Sequence, residues 1–237
     1  MSEFDHPLIA AIYDLDDDRG DLDVYLELAR DTGARSLLDV GCGTGVLAVR
    51  LAAGGVAVVA VDPAGAMLDR ARARPGADAV TWVHGALDDA PPMQVDLATM
   101  TANTAQVFTT DEAWARVLAG IRTRLAPGGR LAFETRVPAR RGWEAWTREH
   151  SHVRLEVPGY GEVASWEDLL SADLPLVTFR STNALADGEV VTAVSTLRFR
   201  ERDEIEASLA DAGFVVERVF DAPTAPGQEW VFVARVF

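Results

Sequence analysis

The sequence predicts an α/β protein: a parallel sheet flanked by helices, with an antiparallel β section inserted late in the chain. Apolar, strand-like runs rich in Val, Leu and Ala alternate with helical patterns from residue 37 to residue 134. The first run, Leu37-Leu38-Asp39-Val40, ends in glycines at alternate positions, Gly41, Gly43 and Gly45, and passes into an apolar helical pattern at Val46. That is strand, tight turn, helix. Residues 153–200, by contrast, read as successive strands, with Asp187-Gly188 as a hairpin turn.

Taken in order, residues 6–13 and 21–32 predict two helices joined by an acidic loop, Asp14 to Gly20, with Leu22, Tyr25, Leu26 and Ala29 at helical spacing in the second. A helix from about Thr44 to Ala53 is ended by Gly54-Gly55. The second strand, Val56 to Val61, ends in Asp62, and a helix over Ala64–Arg74 stops at Pro75-Gly76. Val80–Val83 is the third strand, followed by His84-Gly85-Ala86-Leu87-Asp88-Asp89; Val95–Met100 is the fourth, with small polar residues from Thr101 to Gln106 at its edge. Thr109-x-x-Glu112 fits a capping box, and Trp114, Leu118, Ile121 and Leu125 make one stripe on the helix it opens. Pro127-Gly128-Gly129 turns into the fifth strand, Leu131–Glu134. Strands over 153–157, 162–170, 174–185 and 190–200 follow, the last alternating as Val191, Ala193, Ser195, Leu197 and Phe199. A helix over Asp203–Ala212 and strands over Val215–Phe220 and Trp230–Ala234 close the chain. The expected organisation is a core of 1–135 plus 201–237, with 1–33 as its N-terminal helical segment, and an antiparallel β cap of 136–200.

The chain has 237 residues, 49% of them hydrophobic, enough for a sizeable core. Its net charge of −15 repels phosphate backbones and anionic lipid, which argues against nucleic-acid and membrane partners. All 22 basic residues are Arg, so no lysine base or Schiff base is available. The single cysteine, Cys42, excludes an internal disulfide and suits a reducing cytoplasm; the acidic start lacks a signal-peptide charge pattern, and no apolar run is long enough to span a bilayer. The expected location is cytoplasmic. The oligomeric state is not legible.

A dinucleotide fingerprint, G-x-G-x-x-G, would need Gly at 46, where Val46 stands, and this argues against a nicotinamide oxidoreductase. LLDVGCGTG followed by AVDPAGAMLDRAR closely resembles the class I S-adenosylmethionine-dependent methyltransferases, from about residue 20 to residue 136 and again over the C-terminal strands; Pro127-Gly128-Gly129 through Glu134 adds to the resemblance. It implies a Rossmann-like seven-stranded sheet whose last strand is antiparallel and inserted between the fifth and sixth. It also implies S-adenosylmethionine as cofactor, S-adenosylhomocysteine as product, the glycine loop at the methionine end and Asp62 at the ribose. The cofactor residues so implied are Asp39, Gly41, Cys42, Gly43, Gly45, Asp62, Pro63, Met67, Ala86, Leu87, Thr101, Ala102, Asn103 and Gln106. Family members commonly carry an acid after the glycine at position 85 that bonds the adenine amino group; Ala86 stands there, so Asp88, Asp89 or main chain must read the base.

Residues expected on the acceptor side are Tyr13, Asn103, Arg136, Arg140, Arg141, Trp143 and Trp146. For Gln106, loop hydrogen bonding is the stronger reading. For Tyr13 a packing role weighs equally, and for Arg136, Arg140 and Arg141 pairing with surface acids does. Methyl transfer needs alignment more than a fixed catalytic group; Tyr13, Glu134, His150 and His152 are catalytic candidates by residue type only. His150 and His152 lack a third ligand, so no metal is expected. The reading is a methyltransferase acting on a small molecule by in-line displacement. The alternative is a protein that binds the same cofactor without catalysis.

Overall fold

A computed structural model describes residues 4–13, 15 and 20–237. The strands are β1 (Ser36–Val40), β2 (Ala57–Asp62), β3 (Val80–His84), β4 (Val95–Met100), β5 (Leu125–Arg136), β6 (Val153–Val157), β7 (Gly161–Asp173), β8 (Leu176–Leu185), β9 (Val190–Arg198), β10 (Val215–Asp221) and β11 (Glu229–Arg235). The helices are α1 (Pro7–Tyr13), α2 (Asp23–Thr32), α3 (Val46–Ala53), α4 (Gly65–Ala73), α5 (Asp111–Arg124), α6 (Arg148–Ser151) and α7 (Arg202–Asp211). Seven strands form one sheet in the order β10-β11-β5-β4-β1-β2-β3, with β11 antiparallel to both neighbours. This is the expected topology, the last strand lying between its two predecessors. The other four form a separate antiparallel sheet, β6-β7-β8-β9.

Side-chain alternation divides the seven-stranded sheet into two buried faces. Leu38, Ala98, Leu131, Phe133 and Phe232 pack with Trp114, Leu118 and Ile121 of α5 and Ile205 and Leu209 of α7. Leu37, Val58, Ala60, Leu97 and Val233 point the other way, onto Tyr25 and Leu28 of α2, Leu47 and Leu51 of α3 and Leu68 of α4. The four-stranded sheet lies against α1 at one end, where Leu8 and Ala11 meet Val157 and Val163. At its other end Trp143 packs on Val177, Leu197 and Phe199. Helix α1 also reaches Ala64 and Met67, so it wedges between the two sheets.

Several boundaries differ from expectation. The Asp14–Gly20 loop lies outside the described residues except for Leu15 and Gly20. Thr110, not Thr109, caps α5: its hydroxyl accepts from Ala113 N at 3.1 Å, which places Glu112 in the first turn as a dipole partner rather than the far side of a box. Strand β5 starts at Leu125, because Val95 pairs with Leu125 before the register slips to Leu97–Arg130, and the Pro-Gly-Gly segment is absorbed as an irregularity. Strand β9 ends at Arg198 rather than 200. A short helix, α6, capped by the Thr147 hydroxyl, had no clear periodic signal.

Candidate active site

The glycine loop is stitched to the end of β2. Gly41 N and Cys42 N both donate to Val61 O, at 2.8 and 3.1 Å, and Gly43 N donates to Asp62 Oδ2 at 2.8 Å. Asp62 Oδ1 accepts from Ala64 N at 2.8 Å, so one carboxylate organises both the loop and its own turn. Burial pushes the Asp62 carboxyl up, against these amide bonds, which hold it down. Gly41 and Gly45 have φ of 73° and 77°, and a Cβ on Gly41 would lie 2.6 Å from the Thr104 methyl. One on Gly45 would sit 2.9 Å from Ala71 Cβ and run into the Trp82 ring. Gly45 therefore serves packing and faces away from the cavity described below. At Gly43, φ is 54° and an added Cβ meets nothing within 4 Å.

Asp39 lies behind the loop. One oxygen accepts from Thr99 Oγ1 at 2.8 Å, and its buried Oδ2 has no partner among the described residues. Burial pushes this carboxyl from 3.8 to about 7; the Thr99 bond opposes the shift and the Asp62 charge adds to it. Burial and the neighbouring Asp39 and Asp62 charges also drive the Cys42 thiol well above its ordinary range, so it is not a nucleophile.

Across from the glycine loop, the turn after β4 places two consecutive non-glycine residues in the left-handed region, Ala102 at φ 54° and Asn103 at φ 58°. Such a conformation costs roughly 1–2 kcal/mol per residue and persists where contacts enforce it. Here Asn103 N donates to Glu134 Oε1 at 2.9 Å, Asn103 Nδ2 to Glu229 Oε1 at 2.9 Å, and Thr104 Oγ1 to Thr101 O at 2.6 Å. Burial pushes the Glu134 carboxyl from 4.5 to about 8, against the Asn103 amide bond and with the Glu229 and Asp21 charges. Glu134 thus acts on the site through the backbone of Asn103.

These walls enclose one end of a cavity of about 980 Å³. Gly41, Cys42, Gly43, Asp62, Pro63, Met67, Thr101, Ala102 and Asn103 line it, as do Ala86, Leu87 and Asp88 at the end expected for adenine. The Ala86 amide is already taken by Asp89 Oδ2 at 2.8 Å, so it cannot donate to a base; Leu87 and the Asp88 side chain are what this edge presents. The other end opens under the four-stranded sheet and is lined by Tyr13, Arg136, Trp146, Phe179 and a row of polar residues. Arg136 donates to Gln106 Oε1 at 2.9 Å, approaches Glu229 at 3.8 Å and sits 5.6 Å from the Trp146 ring centre.

The remaining candidates lie elsewhere. Gln106 is buried behind Arg136, a support rather than a wall. Arg140 donates to Gly227 O at 2.7 Å and Arg141 pairs with Glu144 at 2.9 Å on the surface, both away from the cavity. Trp143 is core, its ring 4.6 Å from Phe199. His150 bonds the Thr147 hydroxyl at 2.9 Å and His152 stacks on Trp166; neither lines the cavity. No group of three metal-ligating side chains occurs among the described residues, and no helix of theirs is long and apolar enough to cross a membrane. Sequence reasoning missed Ser165, Glu167, Ser181, Asn183 and Ser195, all on the cavity wall. One signal existed: Ser195 breaks an otherwise apolar inward row.

Residues 37–129 match the family model described as a methyltransferase domain. The chain is 35% identical over 111 residues to a cypemycin N-terminal methyltransferase of Streptomyces sp, covering 46% of this chain and 45% of that protein. It is 37% identical over 117 residues to an uncharacterized methyltransferase of Mycobacterium tuberculosis, covering 46% and 44%. The matched stretch thus spans a little under half the length of these curated relatives. Among solved structures, the sugar N-methyltransferase KedS8 from Streptoalloteichus superposes with a TM-score of 0.76 at 21% identity, over 92% of this chain and 87% of that one. The CcbJ methyltransferase of Streptomyces caelestis gives 0.73 at 21% identity, over 91% and 89%. Over residues 37–129 the chain carries the methyltransferase-domain pattern, and its fold is that of the solved methyltransferases on which it superposes.

Proposed function

We propose that the protein transfers a methyl group from S-adenosylmethionine to a small-molecule acceptor held under the four-stranded sheet. The observation that carries this is the continuity of the cavity, which runs from the glycine loop and Asp62 to the inner face of β7, β8 and β9. At about 980 Å³ it reaches the upper end of ordinary small-molecule sites, room for a cofactor and a second molecule together. The residues present suit this cofactor. Gly43 leaves open space where any side chain would intrude, and Asp62, Asp88 and Asn103 form an acceptor-rich wall for ribose hydroxyls, an amino group and a cation.

When bound, S-adenosylmethionine supplies a methyl group on a positively charged sulfur, open to in-line attack. The protein's part is alignment and exclusion of water. Asp62 fixes the loop and, on the cavity wall, would accept from the ribose hydroxyls. Glu134 and Glu229 hold Asn103 in its strained turn, and Arg136 with Trp146 borders the acceptor end. We read residues 136–200 as the acceptor-side cap. The net charge of −15 argues against a nucleic-acid acceptor, and the sugar named for the structural neighbour KedS8 supports the choice.

The test has two stages. Calorimetry should show S-adenosylmethionine and S-adenosylhomocysteine binding at one site. A panel of small-molecule acceptors should then yield S-adenosylhomocysteine in excess of the background without acceptor. Binding without turnover on any acceptor would favour a non-catalytic cofactor-binding protein; absence of binding would refute the proposal.

A further inference from the structure

A sheet face buried against the rest of a protein is normally apolar. The inner face of the four-stranded sheet obeys this at both ends, where Val163 and Leu185 meet α1 and where Val177 and Leu197 meet Trp143. Between them it breaks the rule. Ser165 pairs across to Asn183, Glu167 to Ser181, and Ser195 on β9 stands opposite Phe179 on β8. These five polar side chains line the cavity. Asn183 and Ser195 are only 4% and 3% exposed. Among the described residues, none of the five side chains makes a hydrogen bond or ion pair. Buried polar groups are ordinarily satisfied, so Asn183 and Ser195, with the half-buried Ser165, Glu167 and Ser181 beside them on the cavity wall, form a patch suited to be satisfied by what enters it.

The charge of the patch points one way. Glu167 is its single ionisable member, and burial raises its carboxyl while the Arg136 charge lowers it. Arg136 is no free counter-ion, because Glu229 at 3.8 Å and Gln106 at 2.9 Å already hold it. Arg136 is thus shared between Glu229, which it approaches, and Glu167, which it reaches only through its field, and the Glu167 side chain faces the cavity with no hydrogen bond or ion pair of its own among the described residues.

We infer that the centre of this face is the acceptor subsite and that it takes a hydroxylated ammonium compound, with Glu167 as the counter-charge and the serines and Asn183 as partners for the hydroxyls. This rests on the methyl-transfer reading and names its substrate class. Glu167 is a specificity-determining residue here; the atom that receives the methyl is a separate matter. Trp146 and Phe179 supply the apolar wall against which the carbon skeleton lies.

The protein loaded with S-adenosylhomocysteine is titrated, by saturation-transfer NMR, with four probes that separate charge from hydroxylation: glucosamine, glucose, gluconate and cyclohexylamine. Glucosamine should bind at least about tenfold more tightly than the other three, the worth of one charge-assisted hydrogen bond in a desolvated site. Glu167→Gln should erase the preference over glucose, and a Ser181→Ala, Ser195→Ala double variant should erase the preference over cyclohexylamine. Affinity for S-adenosylhomocysteine should stay unchanged in both variants, which separates loss of the subsite from misfolding. The inference is overturned if gluconate or a neutral probe binds as well as glucosamine, if no probe binds the loaded protein, or if the amine preference survives Glu167→Gln. Failure of the parent protein to bind S-adenosylhomocysteine would instead sink the methyl-transfer reading on which it stands.

Discussion

Glu134→Gln tests how the strained turn beside the expected methyl position is held. One Glu134 oxygen accepts from Asn103 N at 2.9 Å, and burial lifts the carboxyl from 4.5 to about 8. Between those values the folded state keeps a proton that the unfolded chain has released. Stability therefore falls as pH rises through the window and levels off above about 8. At about 1.4 kcal/mol per pH unit, the interval from 4.5 to about 8 corresponds to roughly 5 kcal/mol as an upper bound. Glutamine keeps an acceptor for the Asn103 amide and never ionises. Its NH2 stands where the protonated acid would carry its O–H, so the unmet need at the buried second oxygen is the same in both. The variant should match the parent near pH 5 and exceed it by roughly 2–4 kcal/mol at pH 8, a Tm gap of about 5–15 °C for a chain of this size. Thermal and urea unfolding of both proteins from pH 5 to 8.5 measures this, with equal urea slopes confirming comparable folded states. The Asp39 shift is common to both proteins and cancels in the difference. A gap that stays constant with pH, or that turns in favour of the parent toward pH 8, would show that an ionised Glu134 holds the turn and would refute the reasoning.

Asp62→Ala removes the acceptor of two 2.8 Å amide bonds and the expected ribose contact; affinity for S-adenosylhomocysteine should drop at least about tenfold by calorimetry, the worth of roughly 1.5–3 kcal/mol. Unchanged affinity in a folded variant would reject the ribose assignment. Gly45→Ala combines a φ of 77° with collisions against Trp82 and Ala71, and should lower unfolding free energy by about 2 kcal/mol or more. Gly43→Ala, facing open space, should cost only the backbone strain of about 1–2 kcal/mol while weakening cofactor binding, so equal effects of the two on stability would contradict the assigned roles. Cys42→Ser should keep S-adenosylhomocysteine affinity within a few-fold, and the parent thiol should react slowly with iodoacetamide at pH 8; fast alkylation would overturn the inert-thiol reading.

The parallel half of the fold was legible because local signals and tertiary roles coincide there. Leu37 to Gly45 reads as strand, turn and helix, and the structure uses those residues that way, down to the amides that Val61 O and Asp62 receive. Asp62, Pro63, Met67 and the Thr101–Asn103 edge could be placed from the family pattern, since each follows a strand end at short range. Other functional contributions depend on partners distant in sequence. Glu134 reads as the last polar residue of a strand; that it holds Asn103, 31 positions earlier, depends on β4 and β5 being neighbours. Gly45 matches the loop motif yet faces Trp82, a contact that spacing within the loop cannot reveal.

The acceptor side shows why residue type alone misleads. Arg140, Arg141 and Trp143 cluster in sequence beside Arg136, and only Arg136 reaches the cavity, because the chain turns through short helical segments after β5 and points the other two arginines at Gly227 O and Glu144. A conspicuous cluster was assembled by sequence adjacency and dispersed by three residues of turn. The converse holds for Ser165, Glu167, Ser181, Asn183 and Ser195. Each is unremarkable alone, and they are spread over three strands. Antiparallel register brings them onto one face, where Glu167 meets Ser181 and Ser165 meets Asn183. Alternation along a strand identifies which residues share a face, but which face is inward depends on what covers it, and here the cover is α1 together with the Trp143 segment. If the proposed acceptor subsite is right, its specificity rests on the register of these strands. A one-residue slip of β8 against β7 would turn Ser181 and Asn183 outward and present Arg180 and Thr182 to the cavity instead. Under the proposed assignment the acceptor end would then offer a cation beside Glu167, in place of the Ser181 hydroxyl and the Asn183 amide, with the glycine loop and Asp62 untouched.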